Sequence, residues 1–294
     1  MKRLRMAVCT AIVMMAAGSA ANAEVLSPKR IVSLDGGTTE TLFALGAGGQ
    51  VVARDEGSTY PAEAQKLPAI STGHQLNVEA ILALKPDVVV GRNRSMSGPG
   101  MHILEQARVR VVRLPDDPGV EVAQLRIENL ASLVGKELDA KRIIESMQAD
   151  LDRLEEKKKA VSGEAAPRVL IVYLRPGVVM MMGEDSNAAA MTRLAGGQFA
   201  VPGVKGYKEL NAEAAVAAQP DVILCYTEGL EATGGADALW NRPGLAETPA
   251  GRARRLIAMD DLLLAGFGPR TGQAALHLFD RLHGQGTTVA KAHP

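Results

Sequence analysis

Tyr60 is the residue whose type and setting could most directly do chemistry. It stands in the run Ser-Thr-Tyr-Pro, where no apolar periodicity gives its ring a core to fill. A residue before proline is held away from the helical region, so the hydroxyl can project from the loop. A phenolate is a hard anionic ligand for ferric iron and caps the iron of some haem proteins. The alternative, which the residues alone favour, is a solvated turn tyrosine, because a free phenol has a pKa of about 10.

Five further side chains in loops could hold an anionic ligand. A guanidinium can bind a carboxylate or phosphate through two parallel hydrogen bonds, and a loop histidine can act as a ligand or a donor. These residues are His74, Arg92, Arg94, Arg175 and Arg270. Taken singly, each is more simply explained as a solvated surface residue.

The composition argues against several functional classes. Basic and acidic residues number 33 each, and aromatic residues make up 3% of the 294-residue chain, so we expect no nucleic-acid-binding surface. No phosphate-binding glycine loop and no nucleophile–base pair is found, which favours a binding protein over an enzyme. The two cysteines, Cys9 and Cys225, exclude a disulfide framework.

The first residues have the order of a secretory signal peptide. Lys2, Arg3 and Arg5 precede an apolar stretch that is too short to span a bilayer. A small-residue cleavage site follows, so we predict that residues 1–23 are removed after about Ala23 and that the mature chain is exported. Only Cys225 then remains, and stability must come from packing rather than from a disulfide.

The elements that must position these residues alternate along the chain. Short β-branched runs followed by helical apolar spacing favour an α/β fold with mostly parallel sheets covered by helices. The predicted strands are 30–34, 87–91, 109–113, 168–173, 178–182, 221–225 and 255–259. Ligands of such sheets bind beyond the carboxyl ends of the strands. The loops expected to line the site are 35–38, 55–61, 92–97, 174–177, 226–229 and 266–270.

One unit occurs twice. The run Gln-Leu-Asn-Val-Glu-Ala beginning at Gln75 returns as Glu-Leu-Asn-Ala-Glu-Ala beginning at Glu209, and Pro-Asp and an apolar run follow each helical segment. Two copies half a chain apart indicate two similar lobes. Glu79 and Glu213 occupy matching places in the first helical turn, where a carboxylate favours the helix dipole. The functional alternative is a pair of acidic contacts, one per lobe, for arginines of a two-fold partner.

A helical connector separates the copies. One helix is predicted over 120–134 and a second over 138–161, which is about 35 Å long. One long helix is a stiff connector, so we expect limited domain closure. The predicted organisation is a signal peptide (1–23), an N-terminal α/β lobe (24–118), the helical connector (119–163), a C-terminal α/β lobe (164–283) and a flexible tail (284–294), with the ligand cleft between the lobes.

Several of these segments together carry a family resemblance. They are the Tyr-Pro loop at Tyr60, the two repeat copies, residues 229–235, and the Leu-Leu-Leu-Ala-Gly-Phe-Gly-Pro-Arg run that ends at Arg270. From about Arg30 to about Leu282 the chain resembles the periplasmic haem-binding proteins of bacterial ABC haem importers, which are class III (helical-backbone) substrate-binding proteins. The wider class also contains vitamin B12 and ferric-siderophore binding proteins. The Tyr-Pro loop and the run ending at Arg270 mainly separate the haem branch from them.

The resemblance implies two α/β lobes joined by a rigid helix, with ferric haem b held between them. It implies that Tyr60 is the axial ligand of the iron and that Glu79 and Glu213 dock on the permease. The candidates for the haem cleft are His74, Arg92, Arg94, Arg175, Tyr207 and Arg270.

Two departures from the family pattern affect these expectations. Some relatives bind a second haem through a histidine in the loop after the first strand of the second lobe, where this chain has Arg175-Pro176-Gly177. We therefore expect one haem, with Arg175 as a candidate partner of a propionate. Many relatives have an aromatic-basic pair before Gln75, where this chain has Gly73-His74.

The resulting expectation is a monomeric periplasmic receptor that delivers haem to an inner-membrane ABC permease dimer with its ATPase. An outer-membrane haem receptor would supply it indirectly. The first alternative keeps the class and changes the ligand to a ferric siderophore or a corrinoid. The second is an exported α/β enzyme for a small anionic substrate, with a general base among Asp55, Glu56 and His74.

Overall fold

The alternating segments form two main sheets in the computed structural model of the protein, which describes residues 27–72 and 75–284. The first lobe contains strands β1 (Ile31–Ser33), β2 (Val51–Arg54), β3 (Ser71–Thr72), β4 (Gln75–Leu76), β5 (Val88–Arg92) and β6 (Val111–Leu114) and helices α1 (Gly36–Ala44), α2 (Val78–Ala83) and α3 (Pro99–Gln106). Its sheet has the order β2-β1-β5-β6 with every neighbour parallel, while β3 and β4 form a separate antiparallel pair.

The connector consists of helices α4 (Val120–Val134) and α5 (Glu137–Ala160). The second lobe contains strands β7 (Arg168–Arg175), β8 (Val178–Met182), β9 (Gln198–Phe199), β10 (Tyr207–Glu209), β11 (Val222–Tyr226) and β12 (Leu256–Met259). Its helices are α6 (Asn187–Leu194), α7 (Ala212–Ala218), α8 (Thr227–Ala232), α9 (Gly235–Trp240), α10 (Pro249–Arg252), α11 (Asp261–Ala265) and α12 (Thr271–His283). The sheet is mixed in the order β10-β8-β7-β11-β12, with β9 parallel to β7.

Helix α5 lies against both α4 and α12 and closes the core between the lobes. Its apolar side buries Met147, Leu151 and Leu154, in one cluster with side chains of both main sheets such as Ile31 and Ile171. A helix packed in this way cannot bend freely without exposing apolar surface. The predicted long connector helix is therefore confirmed within one or two residues at each end.

The sequence repeat is also a structural repeat. In both copies an asparagine caps the helix by accepting the backbone N–H three residues later, at 3.0 Å for Asn77 and 2.8 Å for Asn211. After each helix an aspartate accepts a backbone N–H at the start of the neighbouring strand, at 3.0 Å for Asp87 and 2.8 Å for Asp221. The same side-chain chemistry thus builds both lobes, and the prediction of two similar α/β lobes is confirmed.

Each of the seven predicted strands overlaps a strand of the structure, with shifts of one or two residues at most ends. Strands β2, β3, β4, β9 and β10 were not predicted, because such short runs acquire strand geometry only by pairing with a neighbouring strand. The predicted signal peptide, His74 and the predicted tail beyond Gly284 lie outside the described residues. Within the part of the chain that the structure describes, no helix has the length and apolar character needed to cross a bilayer.

Candidate functional site

Loops and strand ends of both lobes meet around a cleft of about 970 Å³. The first lobe contributes residues 55–57 and Thr59 of the loop after β2. The second lobe contributes Tyr173, Arg175, Tyr207, Thr227, Glu228, Glu231, Asp260 and Asp261. The carboxyl ends of parallel strands are where α/β proteins bind ligands, and the volume suits a medium-sized organic molecule. The predicted cleft between the lobes is therefore confirmed.

The loop that carries Tyr60 is held in place by polar contacts with α1 and with Gln65. Ser58 is fully buried, and its hydroxyl lies 2.7 Å from that of Thr39 on α1. The side-chain amide of Gln65 donates to the carbonyl oxygen of Thr59 at 2.6 Å. Tyr60 itself is half-buried beside the cleft-lining Thr59, and the peptide bond that follows it is cis. The ring therefore projects from a braced turn rather than from a free loop.

A guanidinium of the second lobe covers this ring. The Cζ atom of Arg270 lies 3.6 Å from the ring centroid of Tyr60, and Nε and Nη2 donate to the two carboxylate oxygens of Glu40 at 2.8 and 3.0 Å. Burial opposes the charge on Arg270, but the hydrogen bonds and negative charge of Glu40 outweigh it and raise the pKa of the guanidinium. A guanidinium fixed by Glu40 thus lies over the face of the Tyr60 ring, which is the geometry of a cation–π contact.

Arg92, a predicted cleft residue, is instead part of a buried ion pair. Its Nε lies 3.2 Å from Oδ1 of Asp35, and its backbone N–H donates to Oδ2 at 2.8 Å. The same carboxylate caps α1 by accepting the backbone N–H of Thr38 at 2.9 Å. Burial raises the pKa of Asp35, but Arg92 and these hydrogen bonds outweigh burial and leave the pKa below its usual value. Arg92 therefore holds the first lobe together at the start of α1.

The other predicted arginines differ in their access to the cleft. Arg94 is largely exposed and pairs with Asp116 at 3.3 Å. Arg175 lines the cleft, and its Nε donates to the hydroxyl of Tyr173 at 2.6 Å. Among the cleft-lining residues that the structure describes, Arg175 is the only cation. Sequence reasoning could not separate these cases, because it cannot show which guanidinium already has a carboxylate partner.

The second-lobe wall of the cleft is aromatic. Tyr173 packs edge-to-face on Tyr207 and on Tyr226, with ring centroids 5.3 and 6.3 Å apart. Burial raises the pKa of both Tyr207 and Tyr226, so their hydroxyls stay protonated at neutral pH. The structure thus places the predicted Tyr207 in the cleft wall, and adds Tyr173, which sequence reasoning missed. These rings offer a rigid surface for a flat apolar ligand.

The rim of the cleft is acidic. Sequence reasoning placed Asp55, Glu56 and Glu228 in loops at the cleft but missed the acidic character of the rim as a whole. The carboxylates that line it are Asp55, Glu56, Glu228, Glu231, Asp260 and Asp261. Burial and the neighbouring Glu228 and Asp260 raise the pKa of Asp261 to about 7, and burial raises that of Asp55. Position in the chain was the signal that could have identified these carboxylates, because they follow β2, β11 and β12 directly or within a few residues.

Glu79 and Glu213 are remote from these contacts. Each is exposed in the first turn of its helix, α2 and α7 respectively. The two helices are equivalent elements of the repeat, so the carboxylates occupy equivalent places on the two lobes.

Comparison with known proteins places this geometry in context. The model of the periplasmic binding protein family matches residues 31–263. An uncharacterized ABC transporter substrate-binding lipoprotein of Bacillus subtilis, YvrC, is 30% identical over 258 residues, which cover 87% of this chain and 80% of the relative. A vitamin B12-binding protein of Pectobacterium atrosepticum is 31% identical over 150 residues, half of this chain and 53% of the relative.

Solved structures share the whole architecture. The periplasmic heme-binding protein RhuT of Roseiflexus sp. RS-1, in its apo form, superposes with a TM-score of 0.81 at 38% identity, covering 87% of this chain and 98% of that chain. Further periplasmic heme-binding proteins superpose with TM-scores of 0.76 to 0.81. The similarity extends across both lobes and the connector.

Asp261 provides a test of the acidic rim. Its pKa is about 7 in the folded protein and about 4 when unfolded, so the fold favours the protonated form. This contribution to stability is complete below pH 4 and is lost as the pH rises through 7. We expect Asp261→Asn to raise the free energy of unfolding at pH 8 by about 1–3 kcal/mol relative to wild type and to change it little at pH 4. Urea unfolding at pH 4, 6 and 8 measures this, and an equal change at all three would contradict it.

Proposed function

The chain belongs to the periplasmic binding protein family, and on that premise we propose that it captures ferric haem outside the cytoplasm for uptake by an ABC transporter. Members of this family bind substrates for transport. In this proposal the haem is the cargo, it lies in the cleft between the lobes, and Tyr60 is the axial ligand of its iron.

The observation that carries the proposal is the group of three side chains at Tyr60. An anionic oxygen ligand prefers ferric iron, and a cation against the phenol favours the anionic form. Arg270 supplies that cation at 3.6 Å, and the buried Glu40 fixes its position.

The cleft supports the same ligand by its shape and surface. Its volume of about 970 Å³ and the tyrosine wall suit a flat macrocycle with apolar faces. Arg175 is the cation available to one propionate within the lining, and the acidic rim directs the other propionate away towards solvent. His74, which belongs to a segment outside the described residues, keeps its place as a candidate.

Removing the phenol oxygen tests the ligand directly. We expect Tyr60→Phe to lose the phenolate-to-iron charge-transfer band and to weaken hemin binding by about a hundredfold, because the ring and packing remain while the iron bond does not. Tyr226→Phe, which removes a hydroxyl behind the cleft wall, is the matched control and should keep the band. Hemin titration followed by visible absorption makes the comparison. An unchanged spectrum in Tyr60→Phe would refute the assignment.

A second candidate ligand is a corrinoid, and the acidic rim favours it. Haem carries two carboxylates, which six cleft carboxylates repel, whereas a corrin bears neutral amide groups that can donate hydrogen bonds to them. The match to vitamin B12-binding proteins points the same way, although it spans only half of this chain. In that case Tyr60 would be part of the cleft wall rather than a ligand.

Direct competition separates the two ligands. Because Tyr60 and Arg270 favour ferric iron, we expect hemin to displace cyanocobalamin and aquocobalamin, with an affinity at least about tenfold higher. Isothermal titration of each ligand alone and of hemin into the cobalamin-saturated protein gives the ratio. A higher affinity for either cobalamin would favour the corrinoid and leave the assignment to the family unchanged.

We further propose that Glu79 and Glu213 dock on the membrane permease of the same transporter. Their exposure and equivalent places on the two lobes suit a partner with two-fold symmetry that offers one arginine to each. The two glutamates form a symmetric pair because they occupy the same position in equivalent helices of two similar lobes.

Charge reversal tests the docking surface. The hemin-loaded protein is expected to stimulate the ATPase activity of the reconstituted transporter. We expect the double variant Glu79→Lys, Glu213→Lys to reduce this stimulation by at least about tenfold, because each contact becomes repulsive. Hemin binding should be unchanged. Glu137→Lys, which reverses another exposed first-turn glutamate on α5, is the control. Equal stimulation by the double variant and wild type would contradict the proposal.

A further inference from the structure

One short segment of the second lobe, residues 266–270, forms hydrogen bonds with the first lobe and the connector. Arg126 of α4, only 4% exposed, donates from Nη2 to the carbonyl oxygen of Phe267 at 2.8 Å. Arg92 makes a longer contact of 3.5 Å from Nη1 to the carbonyl oxygen of Gly266. Together with the Glu40–Arg270 pair, these contacts fasten this segment to the first lobe.

The lobes meet here at backbone distance. A Cβ atom added to Gly37, near the start of α1, would lie 2.9 Å from the carbonyl oxygen of Gly266. Real Cβ atoms are not found this close to a backbone oxygen, and neither backbone is a flexible group that could yield. The glycine at position 37 is therefore required for the present contact between the lobes.

The same contact determines the surroundings of Tyr60. Tyr60 and Glu40 belong to the first lobe, and Arg270 belongs to the second. The guanidinium can cover the ring at 3.6 Å only while the lobes are in contact, because both of its partners lie on the opposite side of the seam. Glu40 is only 4% exposed, so water does not take the place of Arg270 as a hydrogen-bond donor to its carboxylate.

We propose that Glu40 is a positioning residue that makes iron ligation depend on lobe closure. It draws Arg270 over Tyr60 when the lobes meet, and separation of the lobes withdraws the cation from the phenolate and so loosens the cargo. The inference rests on the proposed function, since it concerns the iron ligand of that site. A transporter that opens the cleft would thereby weaken the iron–oxygen bond in the same movement.

Two variants that leave Tyr60 and Arg270 intact test the inference. Glu40→Gln keeps the shape and removes the charge, and Gly37→Ala forces the seam apart. For both we expect hemin to dissociate about tenfold faster into excess apomyoglobin, with a shifted charge-transfer band at saturation. Glu105→Gln removes a carboxylate from an ion pair of 2.8 Å within the first lobe and should stay within about twofold of wild type. Circular dichroism shows that each variant is folded.

The outcomes separate this inference from the proposed function. If Tyr60→Phe abolishes the band while folded Glu40→Gln and Gly37→Ala release hemin at the wild-type rate with an unshifted band, Tyr60 is the ligand and the role of Glu40 is overturned. If Tyr60→Phe leaves the band unchanged, Tyr60 is not the iron ligand, and the proposed function is refuted together with the inference that rests on it. Should Glu40→Gln not fold, Gly37→Ala tests the dependence on lobe contact from the same helix, α1, and release of hemin at the wild-type rate with an unshifted band then overturns the inference.

Discussion

The ion pair between the buried Glu40 and the half-buried Arg270 is the interaction on which the geometry of the site depends. It joins residues 230 positions apart and crosses the boundary between the lobes. Removing Glu40 leaves the half-buried guanidinium without its carboxylate partner. The pair holds the guanidinium over Tyr60, beside the close approach at Gly37 and the carbonyl contacts of residues 266–270.

The charges around the cleft are arranged in two layers. Near the seam, Arg92 is paired with Asp35 within the first lobe and Arg270 with Glu40 across the boundary. At the rim, carboxylates are in excess, and Arg175 is the single cation of the lining within the described part of the chain. The pair of Arg270 and Glu40 joins the lobes beside Tyr60, and the carboxylates of the lining make the cleft negative.

Most of the fold could be predicted from local sequence patterns, because strand propensity, helical periodicity and capping act over a few neighbouring residues. The β-branched runs became the central strands, and Asn77 and Asn211 cap the helices that their position in the repeat predicts. Short strands such as β10 escaped prediction, since the exposed run Tyr-Lys-Glu becomes a strand only by pairing with β8. The pairing is a tertiary event with no local signature.

The sequence by itself determined the α/β class, the doubling of the lobes, the long connector and the candidacy of Tyr60, because propensity, periodicity and turn chemistry act over a few residues. Only the tertiary structure decided which arginine meets which acid. It showed Arg92 and Arg270 engaged at the seam, Arg175 open to the cleft, and Glu40 as the partner that no spacing indicated. The reason is physical: a charge is satisfied by whatever lies within a few ångströms in space, and chain distance carries no information about that neighbour.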